Sequence, residues 1–184
     1  MEDLCLHILE LAENSTAAGA SMVRITVVED LPADRLTIEV ADNGRGMSRQ
    51  QVAEIANPLD DEPPDRKVHL GLPLFIRTCR DAGGDVSLSS EPGLGTVLHG
   101  EMRLSHRERK PLGDLVETAI SLIMGAPGVD WVLVHEKIRA GGDVRRMRVD
   151  TEALRRRIGD MPLAHPEVIR NLLRDLREQE TKLG

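Results

Sequence analysis

Two stretches of this chain, Val23-Arg-Ile-Thr-Val-Val28 and Leu36-Thr-Ile-Glu-Val-Ala41, carry apolar residues on alternate positions and are joined by Glu29-Asp-Leu-Pro-Ala-Asp34. Period two over that length predicts a β-hairpin with one dry face. Upstream, Leu4, Ile8, Leu11, Ala12 and Ser15 recur at helical spacing within residues 3–18, and Gly19 is placed to end that helix. Downstream, Ser48 caps a short helix through Ile55, which Asn57-Pro58 stops. Residues 57–69 hold three prolines and six charges with no apolar period, which is loop composition inside an otherwise packed region. A helix over Leu72–Ala82 closes at Gly83-Gly84, and two alternating strands, Asp85–Ser90 and Thr96–Leu104, flank Glu91-Pro-Gly-Leu-Gly95. The first 105 residues therefore read α-β-β-α-loop-α-β-β, an α+β order.

The string Asp42-Asn43-Gly44-Arg45-Gly46-Met47 directly after the second strand is weak evidence alone, because such strings are often only turns. Its company strengthens it. Glu10 and Asn14 lie four apart on the first helix, so a carboxylate and an amide oxygen project from one face, and Leu70-Gly71-Leu72-Pro73-Leu74 opens the later helix. By itself Glu10 would be a solvated helix-face carboxylate, and Thr96 a turn threonine starting a strand. Together, the order and spacing resemble the N, G1 and G2 boxes of the GHKL ATPase superfamily, which includes gyrase-type ATPases, histidine kinases and MutL-type repair proteins.

That resemblance covers residues 1–105 and implies a Bergerat-type two-layer α/β sandwich, a mixed sheet with helices on one face, that binds Mg2+ and ATP. It implies Asn14 as the ligand of the Mg2+ shared with the phosphates, a role suited to an uncharged oxygen donor, and Glu10 as the general base. It assigns the adenine amine to Asp42, with Thr96 supporting that carboxylate through water. Gly44 and Gly46 would let the backbone approach the nucleotide, and Met47 would pack on the base. Leu70, Gly71 and Leu72 would present helix N-terminal amides to the phosphates, and Arg66 and Lys67 would reach the terminal ones.

The chain departs from the pattern in two places. His69 stands where the first glycine of a Gly-x-Gly is usual, and Pro58-Leu59-Asp60-Asp61 is acidic where a triphosphate would lie. Both point to weak or partner-dependent turnover. The function expected is a Mg-dependent, stand-alone kinase or ATPase acting on or with a protein partner, comparable in layout to anti-sigma-factor serine kinases. The alternative is a non-catalytic nucleotide-dependent switch. His7 lies on the pocket's own helix, too close to act as a phospho-acceptor.

Composition narrows the partners. The 184 residues carry a net charge of −7 and 1% aromatics, Phe75 and Trp131, so neither an anionic membrane nor base stacking on nucleic acid is favoured. Residues 1–105 hold 9 Lys/Arg against 18 Asp/Glu, whereas 106–184 hold 15 against 13, so the basic residues concentrate in the tail. Two cysteines without a C-x-x-C, and no apolar run of membrane length, make a cytoplasmic protein the expectation. The six histidines show no ligand spacing, and no metal held by protein alone is expected.

Residues 112–184 read as a small α/β extension: a helix over 112–124, a hairpin of 129–138 and 144–149, and two closing helices. Val168, Ile169, Leu172, Leu173 and Leu176 form one apolar stripe that must be covered, either within the chain or by a partner or second copy. In the latter case Arg145, Arg146, Arg148 and Arg155–Arg157 would meet an acidic face, with a homodimer as one form of that assembly.

Overall fold

The computed structural model describes residues 3–56 and 71–184. The first helix, α1 (Leu4–Ala17), is started by Asp3, whose carboxylate accepts the Leu6 amide at 3.0 Å. Its apolar stripe, Leu4, Ile8, Leu11 and Ala12, is buried with Ser15. The strands β1 (Met22–Asp30) and β2 (Arg35–Asp42) form the expected antiparallel hairpin. After it come α2 (Arg49–Ala56), α3 (Gly71–Asp81), β3 (Asp85–Glu91) and β4 (Gly95–Arg103). Ser48 and Gln51 start α2 by a reciprocal capping box, the Gln51 side chain taking the Ser48 amide at 2.9 Å and the Ser48 hydroxyl the Gln51 amide at 3.3 Å.

The tail supplies α4 (Leu115–Gly125), β5 (Asp130–Ile138), β6 (Val144–Asp150), α5 (Thr151–Ile158) and α6 (Pro166–Leu183). It does not build a sheet of its own. The six strands form one mixed sheet in the order β3-β4-β2-β1-β5-β6, in which β5 runs parallel to β1 and the other neighbours are antiparallel. The connector also serves the first helix, since the Pro111 and Leu112 carbonyls accept the Leu4 and Cys5 amides at 2.9 Å each. Those amides are among the four that α1 cannot satisfy internally.

One apolar core runs through both halves. Val23, Ile25 and Val27 of β1, Leu36, Ile38 and Val40 of β2, Leu98 and Met102 of β4, Leu133 of β5 and Met147 and Val149 of β6 share a face by register, and α1, α3, α4 and α6 pack along the sheet. The stripe on α6 is covered within the chain. Val168, Leu172, Leu176 and Leu183 are buried, Ile169 and Leu173 half-buried, and α6 lies against β6 and α4.

The arginines proposed for an acidic partner are likewise engaged internally. Arg145 meets Asp143 and the Lys182 carbonyl, Arg146 meets Glu136, Arg148 meets Asp150, Arg155 meets Asp130, Arg156 meets Glu152 and Arg157 meets Asp175. Among the described residues no helix is long and apolar enough to cross a membrane.

Candidate functional site

At one end of the sheet, the last residue of β2 and the second of β4 face each other: Asp42 and Thr96 are register partners, and Thr96 in turn pairs with Ser90 of β3. The Asp42 carboxylate is fixed from both sides. Ser15 of α1 donates its hydroxyl to Oδ2 at 2.7 Å, and the Gly44 amide donates to Oδ1 at 2.8 Å. The turn after β2 lies against the end of α1, where the Arg45 amide meets the Ala18 carbonyl at 3.0 Å. Side chains are excluded here. A Cβ on Gly46, at φ +66°, would stand 1.9 Å from the Glu91 carbonyl oxygen, and one on Gly95, at φ +104°, 1.9 Å from the Asp42 carbonyl oxygen. Met47 is buried beside this turn, and its amide is held by Ser90 Oγ at 2.9 Å.

Glu10 and Asn14 stand one turn apart on α1, both half-buried. Among the described residues the buried Glu10 Oε2 has no hydrogen-bond partner. The head of α3 presses on this carboxylate: a Cβ on Gly71 would sit 2.6 Å from Oε2, so glycine is what allows the approach. Leu72 follows as a buried core residue. An orphaned carboxylate oxygen one turn from an amide oxygen is a donor set fitted to a hydrated cation, and the first backbone amides of α3 beside it suit phosphate oxygens.

Residues 2–106 match the family described as histidine kinase-, DNA gyrase B-, and HSP90-like ATPase. The chain belongs to that family. Membership carries the ATP-binding domain with it, and the mixed sheet with its helix layer is the fold expected of a GHKL member. Among solved structures, the N-terminal domain of a DNA repair protein is 14% identical at a TM-score of 0.49, over 82% of this chain and 53% of that one. The Aquifex aeolicus MutL ATPase domain complexed with ADP is 18% identical at 0.48, over 73% and 60%. The histidine kinase domain of the Erythrobacter litoralis EL346 blue-light activated kinase is 20% identical at 0.32, over 47% and 34%. The chain thus spans at most 60% of the length of these matches. Among curated proteins no match is found.

In this GHKL chain the structure brings Asp42, Gly44, Gly46, Met47 and Thr96 together at one end of the sheet, and Glu10 and Gly71 into contact beside Asn14. Arg66, Lys67 and Leu70, with His69, lie outside the described residues. Two side chains escaped the sequence reading. Helical periodicity marks Ser15 only as part of the buried helix face, although it follows Asn14 directly. Ser90 joins Met47, Gly95 and Thr96, and its only signal was a hydroxyl at the end of a strand.

His7 is a core residue: its ring packs 5.7 Å from that of Phe75, and Nε2 lies 3.1 Å from the Thr78 hydroxyl. Burial, helped by Lys110, pushes its pKa down to about 4.

Proposed function

We propose that this protein binds Mg2+ and ATP in the pocket between α1, the β2 turn, β4 and the head of α3, and works as a kinase or ATPase on or with a protein partner in the cytoplasm. The observation that carries this reading is the half-buried Glu10 carboxylate, whose buried Oε2 has no hydrogen-bond partner among the described residues and faces the glycine that opens α3. Leaving a buried acceptor unmade costs about 1–3 kcal/mol, and a chain retains such a group where a ligand, water or substrate hydroxyl meets it. Asp42 takes the adenine amine, while Thr96, Met47, Gly44 and Gly46 border the base. Gly71 and Leu72 meet the phosphates with Leu70, Arg66 and Lys67. Asn14 supplies an amide oxygen to Mg2+, which would neutralise phosphate charge, and Glu10 holds the proton taken from water or the acceptor hydroxyl. The thiols of Cys5 and Cys79 are free and buried, which suits a reducing compartment.

A second reading, a nucleotide-dependent switch without turnover, is favoured by the run Asp60, Asp61, Glu62 and by His69 in place of glycine. Calorimetric titration of ATP with and without Mg2+ tests the pocket: Asp42→Asn weakens ATP at least about tenfold, the loss of one charge-assisted hydrogen bond, and Asn14→Ala removes the Mg2+ dependence. If both variants bind as wild type does, the assignment is wrong. Labelled ATP separates the two readings. Phosphate release or transfer abolished by Glu10→Gln supports the enzyme, and tight binding with neither supports the switch.

A further inference from the structure

The polar groups where β3, β4 and the turn after β2 meet converge on one residue, Ser90. Its Oγ lies 2.9 Å from the Met47 amide, 2.9 Å from the Gly95 carbonyl oxygen and 2.9 Å from Thr96 Oγ1. The chemistry of the partners assigns every proton. A backbone amide only donates and a carbonyl only accepts, so Ser90 receives from Met47 and spends its single proton on Gly95. In the Ser90–Thr96 bond, Thr96 must then be the donor. That uses the one proton Thr96 has and leaves its oxygen with lone pairs alone. Its cross-strand partner, Asp42, has no proton to offer either, each of its oxygens already accepting one bond, from Ser15 and from Gly44.

We propose that Ser90 is a positioning residue that makes Thr96 an obligate acceptor, so that the Asp42–Thr96 floor selects a purine bearing an amine at C6 over one bearing a carbonyl. This rests on the reading that the base is held at Asp42. A 6-oxopurine keeps a donor at N1, so a single carboxylate discriminates poorly between the two. A second obligate acceptor beside it sets lone pairs against the carbonyl, and a polar group left facing the wrong partner in a closed site is what yields strong rejection. Free to rotate, the Thr96 hydroxyl would serve either base.

The test is calorimetric binding of ATP and inosine triphosphate, which differ only in that substituent and the attendant N1 proton, to the full chain in Mg2+. Wild type prefers ATP. Ser90→Ala releases the Thr96 hydroxyl and lowers the ATP-to-ITP affinity ratio about tenfold, the worth of one buried hydrogen bond. Ser90→Thr, which keeps a hydroxyl, restores the ratio. In a Thr96→Val background the serine substitution leaves the ratio unchanged. Thr96→Val leaves the Met47 and Gly95 bonds of Ser90 in place and lowers the ratio by itself, so it reads out the floor even where Ser90→Ala fails to fold. A merely structural role weakens both nucleotides together at constant ratio, and that result overturns the proposal while the pocket assignment stands. A wild type that binds neither nucleotide overturns both.

Discussion

The two ends of the six-stranded sheet treat their polar groups differently. At the β2–β4 end, among the described residues, Glu10 Oε2 has no partner and each Asp42 oxygen accepts a single bond, leaving capacity on both. At the β5–β6 end the arginines find partners within the chain. Arg155 binds Asp130 and the Pro127 and Val129 carbonyls, and Arg177 bridges Asp114, Glu117 and Glu180, tying α6 to the start of α4. Arg139 is the exception there, with a buried Nε unpaired although its guanidinium also holds the Leu183 and Gly184 carbonyls. A region that satisfies itself is scaffold; unspent hydrogen-bonding capacity beside glycines that admit no Cβ marks where a ligand belongs.

The largest effect expected from breaking this contrast comes from removing the scaffold. Truncation after Ser105 deletes β5, which pairs with β1 along nine register positions, and the two carbonyls that hold the head of α1. The helix that carries Glu10 and Asn14 keeps its Asp3 cap but loses the acceptors of its Leu4 and Cys5 amides, and β1 becomes an exposed apolar edge. The truncated chain is expected to be insoluble or to show no cooperative urea transition, with ATP binding lost. A soluble 1–105 fragment that melts cooperatively and binds ATP would show instead that the tail is dispensable to the fold.

That coupling was the part of the fold the sequence did not disclose. Element identities were legible because period two and period 3.6 are local: the hairpin of 23–28 and 36–41, the helix ending at Gly19 and the Ser48 cap all appear where the pattern placed them, within a residue or two. The parallel pairing of β5 with β1 joins residues about a hundred positions apart, and no periodicity encodes a partner. A signal did exist. Trp131-Val-Leu-Val-His135 is buried without alternation, as befits an interior strand, and the hairpin it forms with β6 joins the sheet through β1 instead of standing in a small unit of its own. In the candidate site, glycines and carboxylates were found because their spacing is short. Ser90 escaped because its importance lies in three bonds that only the folded turn assembles.

Two glycines show the same difference between the regions. Gly95 and Gly141 both hold positive φ, at +104° and +79°, but a Cβ on Gly95 would stand 1.9 Å from the Asp42 carbonyl oxygen whereas one on Gly141, in the β5–β6 turn, meets nothing within 4 Å. Gly141→Ala therefore incurs only the left-handed penalty, about 1–2 kcal/mol, with ATP binding intact. Gly95→Ala adds a backbone collision and should cost about 3 kcal/mol or more, displacing Asp42 and weakening ATP. Equal losses in urea denaturation, or ATP binding that survives Gly95→Ala, would remove the distinction between the two ends.

The smallest effect is a titration. His7 sits in the helix layer, fully buried, with Nδ1 unpartnered among the described residues and Nε2 on Thr78. The cheaper neutral tautomer carries its proton on Nε2, which then donates to the Thr78 hydroxyl and leaves a lone pair, not an N–H, unmet. Burial, with Lys110 adding to it, lowers its pKa from 6.5 to about 4. The unfolded chain therefore takes up this proton first as pH falls, so the stability tied to neutral His7 is whole above 6.5 and drains away between 6.5 and about 4. On the other half of the sheet His135 meets a carboxylate instead, 2.8 Å from Glu29, and the hydrogen bond from that imidazole holds the Glu29 carboxyl below its ordinary 4.5. The acid limb of Glu29 thus begins only as pH falls to about 4.5 and runs below it, outside the pH 7.5–5.5 range in which His7 is read. Between pH 7.5 and 5.5 wild type should lose about 1 kcal/mol more in urea than His7→Gln, which keeps a polar contact for Thr78 but cannot titrate. Parallel losses in the two proteins would mean that protonated His7 is tolerated in the folded core, and that this end of the molecule has more solvent access than its packing allows.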